Sequence, residues 1–289
     1  NALSHQSIKF RHNLSFVEDP SRIFRAIRFE KRMDFDIAPH TKRLIHNAVS
    51  MKLFGKANDL RFFSELKLIF SEEDPIPAIQ RLAEFNLFPF LWPDLKPYLK
   101  IDRRFLHILH QAQRAISWFR LLYLDEPCQN WMVYLLAILS RSEVRELAAF
   151  CERFQIPQKI SNRLLWQKTH ADKTAHLLTR RQVVANSEIY WLLKELSNEG
   201  LLYLMAIARK NQIRRAVSHY VTTLRQIRPE LTGNDLMALG YQSGPEFKEM
   251  LNDLLAARLD GFVSGRQQEI TFITKAYPLP SLAEKKSSV

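Results

Sequence analysis

Apolar residues recur along this chain at the three- and four-residue spacing that is typical of helices. No segment alternates convincingly between apolar and polar residues, as a strand with one buried face does. The pattern therefore predicts an all-α protein, a multi-helix elongated bundle. The predicted helices cover about residues 20–33, 39–51, 59–70, 76–86, 103–124, 131–139, 142–154, 157–167, 173–178, 188–196, 201–208, 212–227, 232–240, 245–259 and 267–276.

Changes in composition divide these helices into groups. Three prolines, Pro89, Pro93 and Pro97, interrupt the helical pattern and make residues 87–100 its clearest break. We expect four parts: a linker over 1–17, a first group of helices over 18–86, a basic helical body over 87–230 and a helical tail over 231–289.

The first predicted helix carries arginines along one side. Pro20 suits its first position and Asp19 the N-cap, so the carboxylates of Glu18 and Asp19 would lie at the positive end of the helix dipole. Such a row of arginines suits anionic oxygens or base edges, and a solvated basic face of an ordinary amphipathic helix explains the spacing equally well. The arginines on one arc are Arg22, Arg25, Arg28 and Arg32, and the apolar residues on the opposite arc are Ile23, Phe24 and Ile27.

Positive charge is concentrated in the middle of the chain. The net charge is +12, and residues 155–225 contain twelve Lys/Arg against four Asp/Glu. A basic field of this size favours polyanions such as RNA, although a generally basic surface remains an alternative. The Gly244-Pro245 turn would add backbone N–H groups at a helix N-terminus, where an anion or a plain helix cap fits equally well. The candidate phosphate contacts are Arg180, Arg181, Arg209, Lys210, Arg214, Arg215 and Gly244.

Other classes of function receive little support. Only seven glycines occur, five of them between residues 233 and 265, so a Gly-rich phosphate loop is not expected before residue 230. No uncharged apolar run reaches 18 residues, which argues against a membrane span. The two cysteines, Cys128 and Cys151, are not spaced as metal ligands and fit a reducing cytoplasm. His107 and His110 share a helix face without a third ligand nearby in sequence.

Two sequence blocks resemble a known family. Glu18-Asp19-x-x-Arg22-x-x-Arg25-x-x-Arg28-Phe29, preceded by Leu14-Ser15-Phe16, is similar to the nucleotide-selecting motif of class II tRNA nucleotidyltransferases and bacterial poly(A) polymerases. Near the C-terminus, residues 231–236, 244–247 and 259–261 resemble the family's C-terminal signature. The resemblance implies that Asp19 accepts and Arg22 donates hydrogen bonds at the pairing edge of cytosine or adenine. It further implies that Glu18 orients Arg22 and that Arg25 supports the same face.

The family's catalytic head contains a Gly-Gly turn, an Asp-x-Asp metal pair and an Arg-Arg-Asp motif, all upstream of the nucleotide-selecting motif. Only 17 residues precede Glu18 here, too few for such a domain, and we interpret Asp34 and Asp36 as a solvated loop pair. We therefore expect neck, body and tail without the head, with no catalytic residue and no metal ligand in this chain. Asn1-Ala2 is interpreted as an expression-tag remnant, the alternative being the end of the Arg-Arg-Asp motif.

The resemblance implies the RNA-binding and nucleotide-selecting portion of an enzyme that adds nucleotides to RNA 3′ ends without a template. Its partners would be RNA, most of all the tRNA 3′ end, and a nucleoside triphosphate. The full-length parent would use Mg²⁺ with ATP or CTP in the cytoplasm, whereas this chain alone would be inactive. The alternatives are a non-catalytic helical RNA-binding or scaffolding module and a helical protein-interaction domain. The sequence does not distinguish CCA, A, CC or poly(A) addition, nor an oligomeric state.

Overall fold

The computed structural model describes residues 7–9, 15–51, 59–93, 101–180 and 184–279. Within these ranges nearly every regular element is helical, which confirms the all-α prediction. The elements are β1 (Ser7–Ile8), α1 (Ser15–Glu18), α2 (Arg22–Arg32), β2 (Asp36–Ile37), α3 (Pro39–Ser50), α4 (Asp59–Ser71), α5 (Ile76–Glu84), α6 (Phe88–Leu91), α7 (Arg103–Arg120), α8 (Asn130–Ile138), α9 (Val144–Arg153), α10 (Gln158–Arg180), α11 (Asn186–Leu193), α12 (Asn198–Ile207), α13 (Asn211–Thr222), a 3₁₀ turn (Leu224–Gln226), α14 (Gly233–Ala238), α15 (Glu246–Leu259) and α16 (Arg266–Ala276).

Two very short strands form a parallel pair that the periodicity did not predict. Ser7 pairs with Asp36 and Ile8 with Ile37. The backbone N–H of Ala38 donates to the carbonyl of Ile8 at 3.1 Å, which continues the pairing. Two residues per strand are too few for alternation to be visible in sequence. Residues 15–17, which were expected to belong to the linker, are helical together with Glu18.

The chain divides into two compact units. The first contains residues 1–175 and 196–209. In it, α2 packs against α4 and α5, and α7, α8 and α12 pack against one another. Every residue of α8 from Trp131 to Ile138 is buried, as expected of a helix that is apolar on all sides. Phe24 of α2 meets Phe62 of α4 edge to face, with ring centroids 5.3 Å apart, so this contact fixes α4 against the predicted arginine helix.

The second unit contains residues 176–195 and 210–289. Its core includes Leu236, Leu254 and Ile273. The Ser187 hydroxyl of α11 donates a hydrogen bond to Asp260 at the end of α15, at 2.6 Å. Thr232 and Asp235 form the predicted capping box at the start of α14. The domain limits expected at residues 87 and 231 remain predictions.

One helix replaces two that the sequence suggested. The predicted helices over 157–167 and 173–178 are both part of α10. The apolar pattern pauses between them because Lys168, which is fully buried, pairs through Nζ with Asp172 Oδ2 at 3.0 Å. Asp172 also accepts a hydrogen bond from the buried Tyr203 hydroxyl at 2.7 Å. Polar residues with satisfied partners thus occupy inner positions of a continuous helix.

Candidate nucleotide site

The junction between α1 and α2 shapes the candidate site. The carboxylate of Asp19 accepts hydrogen bonds from the backbone N–H and the hydroxyl of Ser21, at 3.1 and 2.5 Å. Arg22 N–H bonds to the Asp19 carbonyl, a three-residue turn, and α2 begins only at Arg22. The prediction of Asp19 as N-cap and Pro20 as first helical residue was therefore wrong. The Asp-Pro-Ser turn separates two helices, and Asp19 folds onto that turn because Ser21 offers it two donors.

The structure brings together the four residues that the family resemblance singles out. Glu18 at the end of α1 pairs with Arg22 at the start of α2, four residues later, with Oε2 and Nη1 3.8 Å apart. Asp19, Arg22 and Arg25 line a cleft of about 450 Å³, whereas Glu18 does not line it. This geometry suits Glu18 as a partner of Arg22 and the other three as the residues that face the cleft.

Arg61 completes the cleft, and sequence analysis missed it. Its Nη1 lies 3.2 Å from Asp19 Oδ2, and it projects from α4 together with Ser64 and Glu65. Forty-two residues separate Arg61 from Asp19, so no local spacing could have paired them. The available signal was the amphipathic pattern of α4, which does not say which helix it packs against.

The contacts of Asp19 favour its ionised form. Partial burial acts to raise the pKa of this carboxyl, but the Ser21 hydroxyl and backbone N–H together with the Arg61 and Arg22 guanidinium groups hold the pKa below its ordinary value of 3.8. At neutral pH Asp19 is therefore an anionic acceptor, and Arg22 beside it is a cationic donor.

The row of arginines on α2 divides into two parts. Arg28 is buried and pairs with Glu65 and Glu72 of α4, at 3.3 and 3.5 Å. Arg32 lies 4.0 Å from the same Glu72. Arg25, by contrast, is exposed at the cleft, with its guanidinium 5.6 Å from the Phe29 ring centre. The C-terminal arginines of α2 pair with carboxylates of the α4 region, whereas Arg22 and Arg25 line the cleft.

The basic residues predicted to contact RNA belong to both units. Arg209 lies in the first unit, and Arg180, Lys210, Arg214 and Arg215 lie in the second. Arg209 and Arg215 are exposed, and Lys210 Nζ donates to the Thr179 carbonyl at 2.8 Å. Arg181 lies outside the described residues. Their role in RNA binding remains a prediction.

Gly244 also remains a prediction as an anion contact. It is exposed just before α15, as the turn pattern indicated. The first turn of that helix carries Glu246 and Glu249, and their negative charge disfavours an anion at this N-terminus.

Metal ions and membranes are two further kinds of partner that the described residues bear on. Over the described residues, no group of three or more His, Cys, Asp or Glu side chains is placed to hold a metal ion. Within the same residues, none of the helices has the length and apolarity needed to cross a membrane.

Comparison with known proteins gives concordant results. Residues 34–99 match a family described as "Probable RNA and SrmB-binding site of polymerase A". The A-adding tRNA nucleotidyltransferase of Geobacter sulfurreducens is 41% identical over 272 residues, covering 93% of this chain and 30% of that protein. The Thermotoga maritima CCA-adding enzyme complexed with tRNA superposes with a TM-score of 0.79 at 25% identity, covering 94% of this chain and 64% of that one. A CCA-adding enzyme complexed with CTP gives a TM-score of 0.76 at 25% identity, with 94% and 63% covered.

The helical fold and these matches support an assignment of the chain to the C-terminal region of the class II tRNA nucleotidyltransferase and bacterial poly(A) polymerase family. The chain spans 30% of the Geobacter protein and 64% of the Thermotoga chain. The resemblance found in the two sequence blocks is confirmed.

Proposed function

We propose that this chain is the nucleotide-selecting and RNA-binding portion of a template-independent tRNA 3′-end nucleotidyltransferase. The observation that carries the proposal is the cleft in which an ionised Asp19 and the Arg22 guanidinium lie side by side. The relatives support it, since one is named an A-adding tRNA nucleotidyltransferase and another was solved with tRNA.

Selection follows from the chemistry of the pairing edge. Cytosine and adenine both present an exocyclic amino donor beside a ring-nitrogen acceptor, and guanine and uracil present the opposite order. An Asp19 oxygen accepts from the amino group, and Arg22 donates to the ring nitrogen. Glu18 restrains Arg22 through their 3.8 Å pair. Arg25, on the same wall, adds positive charge for the nucleotide.

ATP or CTP is the nucleotide that this chemistry suits, and we place the protein in the cytoplasm. Mg²⁺ serves phosphoryl transfer by bridging phosphate oxygens, and it prefers several oxygen ligands. The described residues do not group three metal-ligating side chains, so we assign this chain no part in holding the metal. Its own contribution is to orient the base and to hold the RNA.

The test is nucleotide choice by the full-length gene product. Arg22→Ala should leave tRNA binding largely intact and reduce discrimination against GTP and UTP, because the base edge loses its donor. One bidentate contact is worth about 1–3 kcal/mol by analogy with base readout in grooves, roughly ten- to hundredfold. Asp19→Ala should act likewise, and Arg43→Ala on the exposed face of α3 is the matched control. Steady-state incorporation of all four nucleotides measures this discrimination. Unchanged discrimination against GTP and UTP in both variants contradicts the templating role.

A second candidate is a non-catalytic helical RNA-binding or scaffolding module. The match of residues 34–99 favours this module, because that family's description names RNA and SrmB binding. This function predicts that RNA binding persists while the Asp19 and Arg22 variants change nothing that depends on nucleotides.

A further inference from the structure

Helix α7 differs from its neighbours in charge. Its 18 residues, Arg103–Arg120, include four arginines and two histidines but no aspartate or glutamate. The candidate RNA contacts discussed above all lie elsewhere, and α7 takes no part in the cleft at Asp19.

Two arginines and the two histidines of α7 form one row. Arg103, His107, His110 and Arg114 stand at positions i, i+4, i+7 and i+11, which share one face of a helix, and all four are exposed. The opposite face, with Ala112 at its centre, is buried where α7 packs on α8 and α12. Packing therefore fixes the direction in which the row points.

Among the described residues, no carboxylate neutralises this row. Over the described part of the chain, none of its four residues forms an ion pair. The carboxylates near the helix have other partners: Asp102 accepts from Phe105 N–H at 2.7 Å and from Arg141 at 2.6 Å, and Asp74 accepts from Gln113 at 3.0 Å.

We propose that the row Arg103, His107, His110 and Arg114 is a second RNA-binding surface, which holds the sugar-phosphate backbone. Steps of three and four residues advance about 4.5–6 Å along a helix axis, so the row extends over about 16 Å and can follow several phosphates. Arginine forks match phosphate oxygens, and imidazole N–H groups add donors.

RNA fits this row better than an acidic protein does. The row itself contains no large apolar side chain, and the centre of a protein–protein interface is usually apolar and depleted of charge. The choice of RNA as the anion rests on the proposed function.

The experiment measures binding of a tRNA transcript to the purified 289-residue chain by fluorescence anisotropy over a series of salt concentrations. Arg114→Glu should weaken binding several-fold at low salt and reduce the slope of log K against log salt by about 1, and Arg103→Glu/Arg114→Glu by about 2. The matched control is Arg145→Glu on α9, an exposed arginine with carboxylate neighbours Glu143 and Glu146 at 3.1 and 3.4 Å. Arg145→Glu should change neither the affinity at low salt nor the slope of log K against log salt.

A cross-link gives an independent readout that does not depend on altered charge. A photoreactive phenylalanine in place of His110 should attach to the tRNA, and the same group in place of the exposed Ala149 on α9 should not. If the unmodified chain binds tRNA while the α7 and α9 variants behave alike and position 110 does not cross-link, the inference is overturned and the proposed function stands. If the unmodified chain does not bind tRNA at low salt, the proposed function fails as well. Arg114-dependent capture of an acidic polypeptide without any effect on RNA also overturns the inference.

Discussion

Asp19 illustrates how much a single carboxylate depends on partners far away in sequence. The motif identifies Asp19, Arg22 and Arg25 as candidates because their residue types and spacing are local properties. The motif could not identify Arg61, since packing of α4 on α2, through contacts such as Phe24 with Phe62, brings it to the cleft. The N-cap prediction for Asp19 failed for a local reason, because Ser21 binds the carboxylate before the helix begins.

Replacing Arg61 should raise the pKa of Asp19. The pKa in the folded chain lies below 3.8, so these contacts stabilise the fold above that pH, and the contribution is lost as the pH falls through the folded-state pKa. Arg61→Gln removes one of the charges that lower this pKa and should shift the titration of Asp19 to higher pH. A carbon-13 NMR titration of the Asp19 carboxyl measures the shift. Arg25→Gln is the control, and equal titration curves for the two variants would contradict the assignment.

Helix α10 shows why the periodic pattern predicts helices better than it predicts where they end. The pattern treated Lys168 and Asp172 as a break because polar residues at inner positions usually mark a surface or a loop. Here Lys168 pairs with Asp172, and Asp172 also accepts a hydrogen bond from Tyr203, which lies more than thirty residues later in the chain. The strands β1 and β2 were missed for a related reason, since two residues each carry no periodicity.

Removing Asp172 should destabilise the first unit more than removing the whole pair. Asp172→Ala leaves the Lys168 ammonium buried without its carboxylate, with the Tyr203 hydroxyl 3.5 Å away and the Tyr203 ring centre 5.8 Å away. Losing one member of a buried ion pair typically costs about 3–5 kcal/mol, with Asp172 toward the lower end because it is partly exposed. Lys168→Met/Asp172→Ala should recover much of that loss. Urea denaturation measures the free energy of unfolding of both variants. A double variant that is less stable than Asp172→Ala would refute the argument.

At the scale of the whole molecule, the sequence predicted helical content, charge and family but not the division into units. The chain leaves the first unit at residue 175 and returns to it over 196–209, where α12 packs on α7 and α8. Composition cannot reveal such a return, because α12 belongs to the first unit through contacts with α7 and α8, which lie about 90 and 70 residues earlier. A break in composition can mark a loop inside a unit as well as a limit between units.

The concentration of positive charge should make RNA binding depend on salt and little on sequence. Residues 155–225 carry twelve Lys/Arg against four Asp/Glu, and such a field acts on phosphates. Arg214→Glu/Arg215→Glu should weaken binding to different RNA sequences by similar factors and lower the salt slope by up to about 2. Anisotropy titrations with two unrelated tRNA transcripts check this. Weakening confined to one transcript would indicate base recognition instead.

The 289-residue chain alone should add no nucleotides to RNA. Phosphoryl transfer to a 3′ hydroxyl depends on metal ions held by several carboxylates, and the described residues group no three metal-ligating side chains. Asp34 and Asp36 are the pair that could imitate an Asp-x-Asp motif. Asp34 ends the turn after α2 in the left-handed region, with a φ of 52°, and both residues are exposed. Incubation of the chain with tRNA, ATP, CTP and Mg²⁺, followed by gel analysis of the RNA 3′ end, tests the prediction. Asp36 belongs to strand β2, so the interpretation of both residues as a loop pair was wrong for Asp36. Addition that disappears in Asp34→Asn/Asp36→Asn would show that these two carboxylates hold the metal.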